Sequence, residues 1–363
     1  MAKRLRVDKT LFAVTLLLVF LGLIMVFSAS AVIAKERFGS PYYFVLRQFS
    51  WAMGGLLAMF LLMKVDYRRY KHPAVVLSLM GVTTLLLIAV FFLDRSHNTH
   101  RWIKMGPLSF QPSELAKPSL ILFLSWFLET RTGLMDDWRR TLMPAVLPAM
   151  TLAALIVLQP DLGTGIACAA ITAVILFVAG MRLRYFGYAL APVPVLFYVL
   201  VLRVSWRYQR ILAFLDPYAD TQGRGFHIIQ SLIAVGTGGL AGMGLMEGKQ
   251  KLFYLPEPHT DFIFAVIAEE FGLLGSLAVL VLFLLFLYRG IRTAALSRDL
   301  FARYISVGIV TMVVVQAFIN ISVVLGLMPT KGIPLPFVSS GGSSLFVMLA
   351  SVGVLLNITQ QIE

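Results

Sequence analysis

Apolar residues along this chain come in long runs divided by shorter polar stretches, and most runs approach the roughly 20 residues that a helix needs to cross a bilayer. They predict helices over Leu11–Ala34, Tyr43–Val65, Ala74–Leu93, Leu115–Leu128, Leu142–Leu158, Gly163–Gly180, Tyr185–Leu202, Phe262–Tyr288, Tyr304–Leu327 and Ser343–Ile358, about ten in all. The fold class is therefore all-α, a polytopic integral membrane protein. The first run follows a basic start like that of a signal peptide, but it is too long and too many others follow, so it reads as a helix that stays.

Basic residues near helix ends resist translocation, so they orient the bundle. Lys3, Arg4, Arg6 and Lys9 put the N-terminus in the cytoplasm. Counting alternately from there, Arg68, Arg69 and Lys71, then Arg131, Arg139 and Arg140, then Arg182 and Arg184, then Arg289, Arg292, Arg298 and Arg303 all fall inside, and so does the C-terminus. Ile228–Leu245 is apolar enough to suggest another span, but counting it would move the basic loop from Arg289 to Arg303 outside. Its glycines Gly236, Gly238, Gly239, Gly242 and Gly244 suit close packing or re-entrant backbone better. They make a poor dinucleotide fingerprint, since no strand precedes them. Asp94–Glu114, Arg203–Thr260 and Met328–Gly342 remain as external segments too long or polar to be turns. The chain reads as a single membrane domain, residues 1–363, whose large extracytoplasmic loop, residues 203–260, carries part of any site.

Composition narrows the function classes. With 59% hydrophobic and 13% charged residues, one soluble core cannot hide the apolar surface. The net charge of +13 belongs to the positive-inside pattern and not to nucleic-acid binding. The lone cysteine, Cys168, excludes an intrachain disulfide or a cysteine metal cluster, and in its apolar run it reads as a small buried hydrophobe.

Ionisable groups at membrane depth are costly, so each is a candidate for function. In Gln111-Pro112-Ser113-Glu114-Leu115-Ala116-Lys117, Glu114 and Lys117 share a helical face, either as a local pair at a helix start or as part of a site. In Gln159-Pro160-Asp161-Leu162-Gly163-Thr164, Asp161 is either an N-cap or the partner of a cation such as Lys117 on the same outer face. The strongest run is Tyr254-Leu255-Pro256-Glu257-Pro258-His259-Thr260-Asp261-Phe262, at the mouth of a helix. There Asp261 is either a cap or a desolvated carboxylate with a raised pKa, fit for general acid or base work. Within that helix, spacing allows Glu269 and not Glu270 to face the same cavity. Arg203, Arg207, Arg210, Arg224, Lys249 and Lys251 break the usual scarcity of positive charge outside, and fit an anionic ligand such as phosphate, or else lipid headgroups. Pro329-Thr330-Lys331-Gly332-Ile333-Pro334-Leu335-Pro336 stiffens the last loop, and Ser339-Ser340-Gly341-Gly342-Ser343-Ser344 opens a helix whose free N–H groups make either an anion site or a serine-capped turn.

These motifs, in this order and over nearly the whole chain, resemble the SEDS proteins (shape, elongation, division and sporulation), the polytopic peptidoglycan polymerases of bacteria. Arg101-Trp102-Ile103 and Pro334-Leu335-Pro336-Phe337 add to the likeness. Asn320-Ile321, Met328-Pro329-Thr330-Lys331-Gly332 and the wording around Gln250-Lys251 resemble the division branch first and the elongation branch second. Ser340, Phe226-His227 and His100 depart from the family pattern. The resemblance implies a multi-pass protein of the bacterial cytoplasmic (inner) membrane that polymerises lipid II into glycan strands on its outer face. In that reaction the acceptor 4-hydroxyl attacks the anomeric carbon of the lipid-linked donor and expels undecaprenyl diphosphate with inversion. Asp261, matching the family's essential aspartate, would be the general base. Arg101, Lys117 and Arg210 would hold diphosphate charge, and Glu114, Asp161, His259, Glu269 and Ser343 would join them in binding substrate. A divalent cation, magnesium or manganese, would assist the leaving group, with no ligand spacing to fix it. Implied partners are the growing glycan strand, a class B penicillin-binding protein and other divisome or elongasome membrane proteins. A lipid II flippase is the competing reading, but it asks for polar residues through the full depth of the bundle, and the inner halves of these helices are nearly bare.

Overall fold

The computed structural model describes residues 7–94, 100–105, 108–134, 137–252 and 254–362. Lys3, Arg4 and Arg6, used above for orientation, lie outside the described residues. The helices are α1 (Lys9–Phe38), α2 (Tyr43–Lys64), α3 (Pro73–Leu93), α4 (Pro112–Glu129), α5 (Met143–Leu158), α6 (Leu162–Val178), α7 (Leu183–Leu190), α8 (Val193–Phe197), α9 (Ser205–Leu215), α10 (Phe226–Thr237), α11 (Ile263–Leu296), α12 (Leu300–Val324) and α13 (Gly342–Gln360). The only strands among the described residues, β1 (Ile103–Met105) and β2 (Leu108–Phe110), form an antiparallel hairpin with Ile103 opposite Phe110.

Eight of these segments are long and apolar enough to cross a membrane. The protein is a multi-pass membrane protein. Two further helices complete the expected set: α4, whose 18 residues include Glu114, Lys117 and Glu129, and α6, which has 17. The bundle is built around α12 and α13, buried over 67% and 72% of their most apolar stretches, whereas the stretch in Leu183–Leu202 is only 6% buried. α13 packs on α2, α11 on α1 and α12, α3 on α4, and α5 on α6. At the end of the bundle away from Asp261, Asp8 caps α1 through the N–H groups of Thr10 and Leu11 and pairs with Arg289 at 2.5 Å, tying α1 to α11.

The apolar stretch Ile228–Leu245 is no span. α10 ends at Thr237, and Gly239, Gly242 and Gly244 then take φ of 54°, 83° and 109°. This strap lies against a break in α11, where Gly272 has φ 63° and ψ −156°. A broken helix frees backbone groups that lipid cannot satisfy, and here the strap satisfies them. Leu273 and Leu274 donate to the carbonyls of Gly239 and Leu240 at 2.9 and 3.2 Å, while Met243 and Gly244 donate to those of Glu269 and Glu270, both at 3.0 Å. The approach is close enough that a Cβ on Gly242 would stand 2.1 Å from the Glu270 carbonyl oxygen. Upstream of the break, Ile263–Glu270 is buried throughout, and Asp261 sits at its mouth.

Candidate active site

Asp261 immediately precedes Phe262, the N-cap residue of α11, and no side chain caps that helix. Its backbone is fixed from the final loop. Asn320 Nδ2 donates to the carbonyls of both Asp261 and Ile333 at 2.8 Å, Ser339 Oγ donates to Thr260 O at 2.6 Å, and Ser340 N donates to His259 O at 2.8 Å. The Asp261 carboxylate, by contrast, accepts no hydrogen bond among the described residues. It packs on Gly332, where an added Cβ would lie 2.8 Å from Oδ2. Burial, then the Glu257 carboxylate, pushes the Asp261 carboxyl up to about 6, against the opposing pull of Arg210 and Arg101, and Asp161 adds to the rise. A partly buried carboxylate without a partner is unlike a structural one, which is normally satisfied.

Arg210 and Arg101 act electrostatically on Asp261, and Arg207 and Lys331 lie within electrostatic reach of those two. Arg101 donates Nε to Gln159 O at 3.0 Å and Nη2 to Pro160 O, and its own N–H and that of Trp102 rest on Asp94 Oδ2 at 3.0 and 3.1 Å. On α9, Arg207 and Arg210 lie over the Trp206 ring at 4.9 and 5.1 Å, and Arg210 donates to Thr330 O at 3.3 Å. Lys331 is the remaining cation. Burial brings its ammonium down to about 8; Arg207, Arg210 and Arg101 act in the same direction and Asp161 opposes them.

Asp161 is both a cap and a site neighbour. It accepts from Thr164 N and Oγ1 at 3.2 and 2.8 Å, opening α6, and from Gln111 Nε2 at 3.2 Å. Gln111 N in turn donates to the buried Ser343 Oγ at 3.3 Å, which draws the start of α13 toward that of α4. Glu114 and Lys117 form a 2.8 Å pair one turn into α4, with the Lys117 side chain fully buried. His259 is buried against Phe44 at 4.4 Å between ring centroids, with Nδ1 unpartnered, and burial lowers its pKa.

The structure thus brings Asp261, Arg101, Arg210 and Asp161 into one electrostatic group, with Ser343 linked through Gln111. Glu269 is turned to another task, accepting from the backbone N–H groups of Lys249 and Gln250 at 2.7 and 3.1 Å. Beside it, Glu270 pairs with Lys251 at 2.6 Å and accepts from Ser28 Oγ at 2.6 Å and Met246 N at 3.1 Å, clasping the strap between α1 and α11. Asn320 and Ser339, which hold Asp261 in place, escaped the sequence reading as site residues, although both stand in motifs it quoted. No group of three or more His, Cys, Asp or Glu side chains among the described residues could hold a metal ion. What remains is a carboxylate poised near neutrality beside clustered positive charge. Such a site can take a proton from a hydroxyl while an anion is held close by.

The chain is similar over nearly its whole length to known proteins. Residues 8–363 match the family model of the cell cycle proteins FtsW, RodA and SpoVE. Stage V sporulation protein E of Bacillus subtilis is 44% identical over 355 residues, 97% of each chain. A protein of Geobacter metallireducens named probable peptidoglycan glycosyltransferase FtsW is 41% identical over 360 residues, 99% of this chain and 96% of that one. Among solved structures, a chain from a peptidoglycan synthase complex in which polymerization and crosslinking are coordinated superposes with a TM-score of 0.81 at 31% identity, covering 98% of both chains. The rod shape determining protein RodA of Thermus thermophilus gives 0.72 at 30% identity, covering 99% of this chain and 98% of that one.

Proposed function

This chain belongs to the FtsW, RodA and SpoVE family of cell cycle proteins, and from that premise we propose that it is a peptidoglycan glycosyltransferase polymerising lipid II for septal wall synthesis. The observation that carries the reading is the unpartnered Asp261 carboxylate, raised to about 6 in the field of Arg101 and Arg210. Asp261 is the general base. It takes the proton of the acceptor sugar's 4-hydroxyl as that oxygen attacks the anomeric carbon of the lipid-linked donor, and undecaprenyl diphosphate leaves from the opposite face. A base that titrates near the working pH is largely ionised yet still basic enough to share the proton in the transition state. The guanidinium groups of Arg101 and Arg210 supply fixed positive charge for the diphosphate as it departs.

The basic residues of the connecting segments support an orientation with both termini in the cytoplasm and Asp261 on the outer face of the cytoplasmic membrane. The likeness to a chain of a peptidoglycan synthase complex supports a class B penicillin-binding protein as partner. Other divisome membrane proteins would join it. A magnesium or manganese ion would neutralise the diphosphate. The described residues offer no cluster to hold one, so no step here runs through a resident metal.

The test is polymerisation of lipid II by the purified protein with its crosslinking partner and a divalent cation. Wild type is expected to make glycan strands, and folded Asp261→Asn and Asp261→Ala are expected to make none. Normal polymerisation by both variants would remove Asp261 from the chemistry. An inert wild type that moves lipid II across vesicles would make the protein a flippase instead.

A further inference from the structure

Apart from Lys331, the cations named in this region each make at least one hydrogen bond within the protein. Lys117 is paired with Glu114. Arg101 donates to the carbonyls of Gln159 and Pro160, Arg207 to that of Leu200, and Arg210 to that of Thr330. The ammonium of Lys331 makes no hydrogen bond or ion pair among the described residues, although it has three hydrogens to give and its side chain is mostly buried. Its stem crosses the first turn of α6, where a Cβ on Gly163 would lie 2.9 Å from Lys331 Cε. The next residue, Gly332, packs on the Asp261 carboxylate. The loop is held on both sides, Thr330 O by Arg210 and Ile333 O by Asn320.

We propose that Lys331 binds the diphosphate of the lipid-linked donor, one residue along the chain from the glycine that covers Asp261. The inference rests on the glycosyltransferase reading and sharpens it, since it adds a phosphate contact on the final loop to the charge of Arg101 and Arg210. An isolated ammonium among guanidinium groups is costly when the site is empty and complementary when an anion fills it. Burial and the neighbouring Arg207, Arg210 and Arg101 bring it down to about 8, with Asp161 the opposing charge. Phosphate oxygens would give it the partners it lacks, and its place near Asp161, one residue from the glycine packed on Asp261, would keep the leaving group close to the base.

The test uses the full chain in nanodiscs, in an Asp261→Asn background that does not turn over, with undecaprenyl diphosphate as probe and undecaprenol as control. Lys331→Met is expected to weaken binding of the diphosphate by on the order of tenfold to a hundredfold, the usual weight of a charged hydrogen bond, and to leave undecaprenol unchanged. Lys331→Arg is expected to restore the affinity. With Lys331 the affinity should fall as pH rises through about 8, where the ammonium loses its proton, and with Arg it should stay level. Equal binding by Lys331 and Lys331→Met, in a protein whose wild type polymerises lipid II, overturns this inference alone. Failure of every form to prefer the diphosphate over the alcohol, with an inert wild type, overturns it together with the function it rests on.

Discussion

Replacing Asp261 by asparagine should abolish polymerisation and at the same time make the protein more stable at neutral pH. A carboxyl that titrates at about 6 when folded, against 3.8 ordinarily, keeps its proton in the folded state over a range where the unfolded chain has lost it. The folded state therefore binds more protons between pH 4 and 6, so stability is highest below that window and falls as pH rises through it. At about 1.4 kcal/mol per pH unit the loss approaches ~3 kcal/mol by pH 7, a ceiling because Asp261 is only partly buried. Asparagine carries no charge to desolvate, so Asp261→Asn should regain most of that amount at pH 7 and nothing near pH 4. Unfolding of both proteins in the same detergent, at intervals from pH 4 to 8, measures the difference directly. Polymerisation by wild type should show an acid limb near pH 6, falling tenfold per unit below it. If the two stability curves run parallel, or if the variant is the weaker at pH 7, then Asp261 is a satisfied structural group and the argument for a strained base collapses.

Other predictions follow from contacts elsewhere. Glu270→Gln should cost about 3–5 kcal/mol of stability by leaving the buried Lys251 ammonium without its anion, and Glu270→Leu combined with Lys251→Met should recover most of it in the same unfolding assay. Gly332→Ala places a methyl 2.8 Å from Asp261 Oδ2, a contact that rotation of the carboxylate relieves. It should change stability by less than about 1 kcal/mol while lowering the polymerisation rate, because the base is turned from its place; a rate equal to wild type would mean that the carboxylate's orientation is unimportant.

The eight segments able to cross a membrane, with α4 and α6 beside them, were legible because lipid imposes length and composition on each helix separately, whatever the tertiary packing. Rejecting Ile228–Leu245 as a span was sound because three of its five glycines, Gly239, Gly242 and Gly244, take positive φ in the strap. The break at Gly272 was hidden, since one glycine in an apolar run reads as helix and the strap that accepts its hydrogen bonds lies some thirty residues upstream. That break does not explain the reading of Glu269, which measured a helical angle from Asp261, whereas the helix starts at Ile263 and the angle had no fixed origin. The β1–β2 hairpin left no signal because three-residue strands are too short for alternation to register. Lys331 sat in a Pro-Thr-Lys-Gly turn that looked merely stiff, and its proximity to Asp161 and Arg101 arises only when the final loop folds back over α6.

The strap has a consequence for altering this protein. It is pinned to α11 twice, by the hydrogen bonds of residues 239–244 across the break and by the bonds of Lys249, Gln250 and Lys251 to Glu269 and Glu270. The few residues between the two anchors therefore act as a ruler whose length matters more than its lettering. Substitutions of the exposed Leu245 and Glu247 should pass, whereas adding or removing one residue must release one anchor and shift the short buried helix that presents Asp261. An epitope tag or fluorophore-bearing insert meant to report on this protein without silencing it belongs outside residues 239–251.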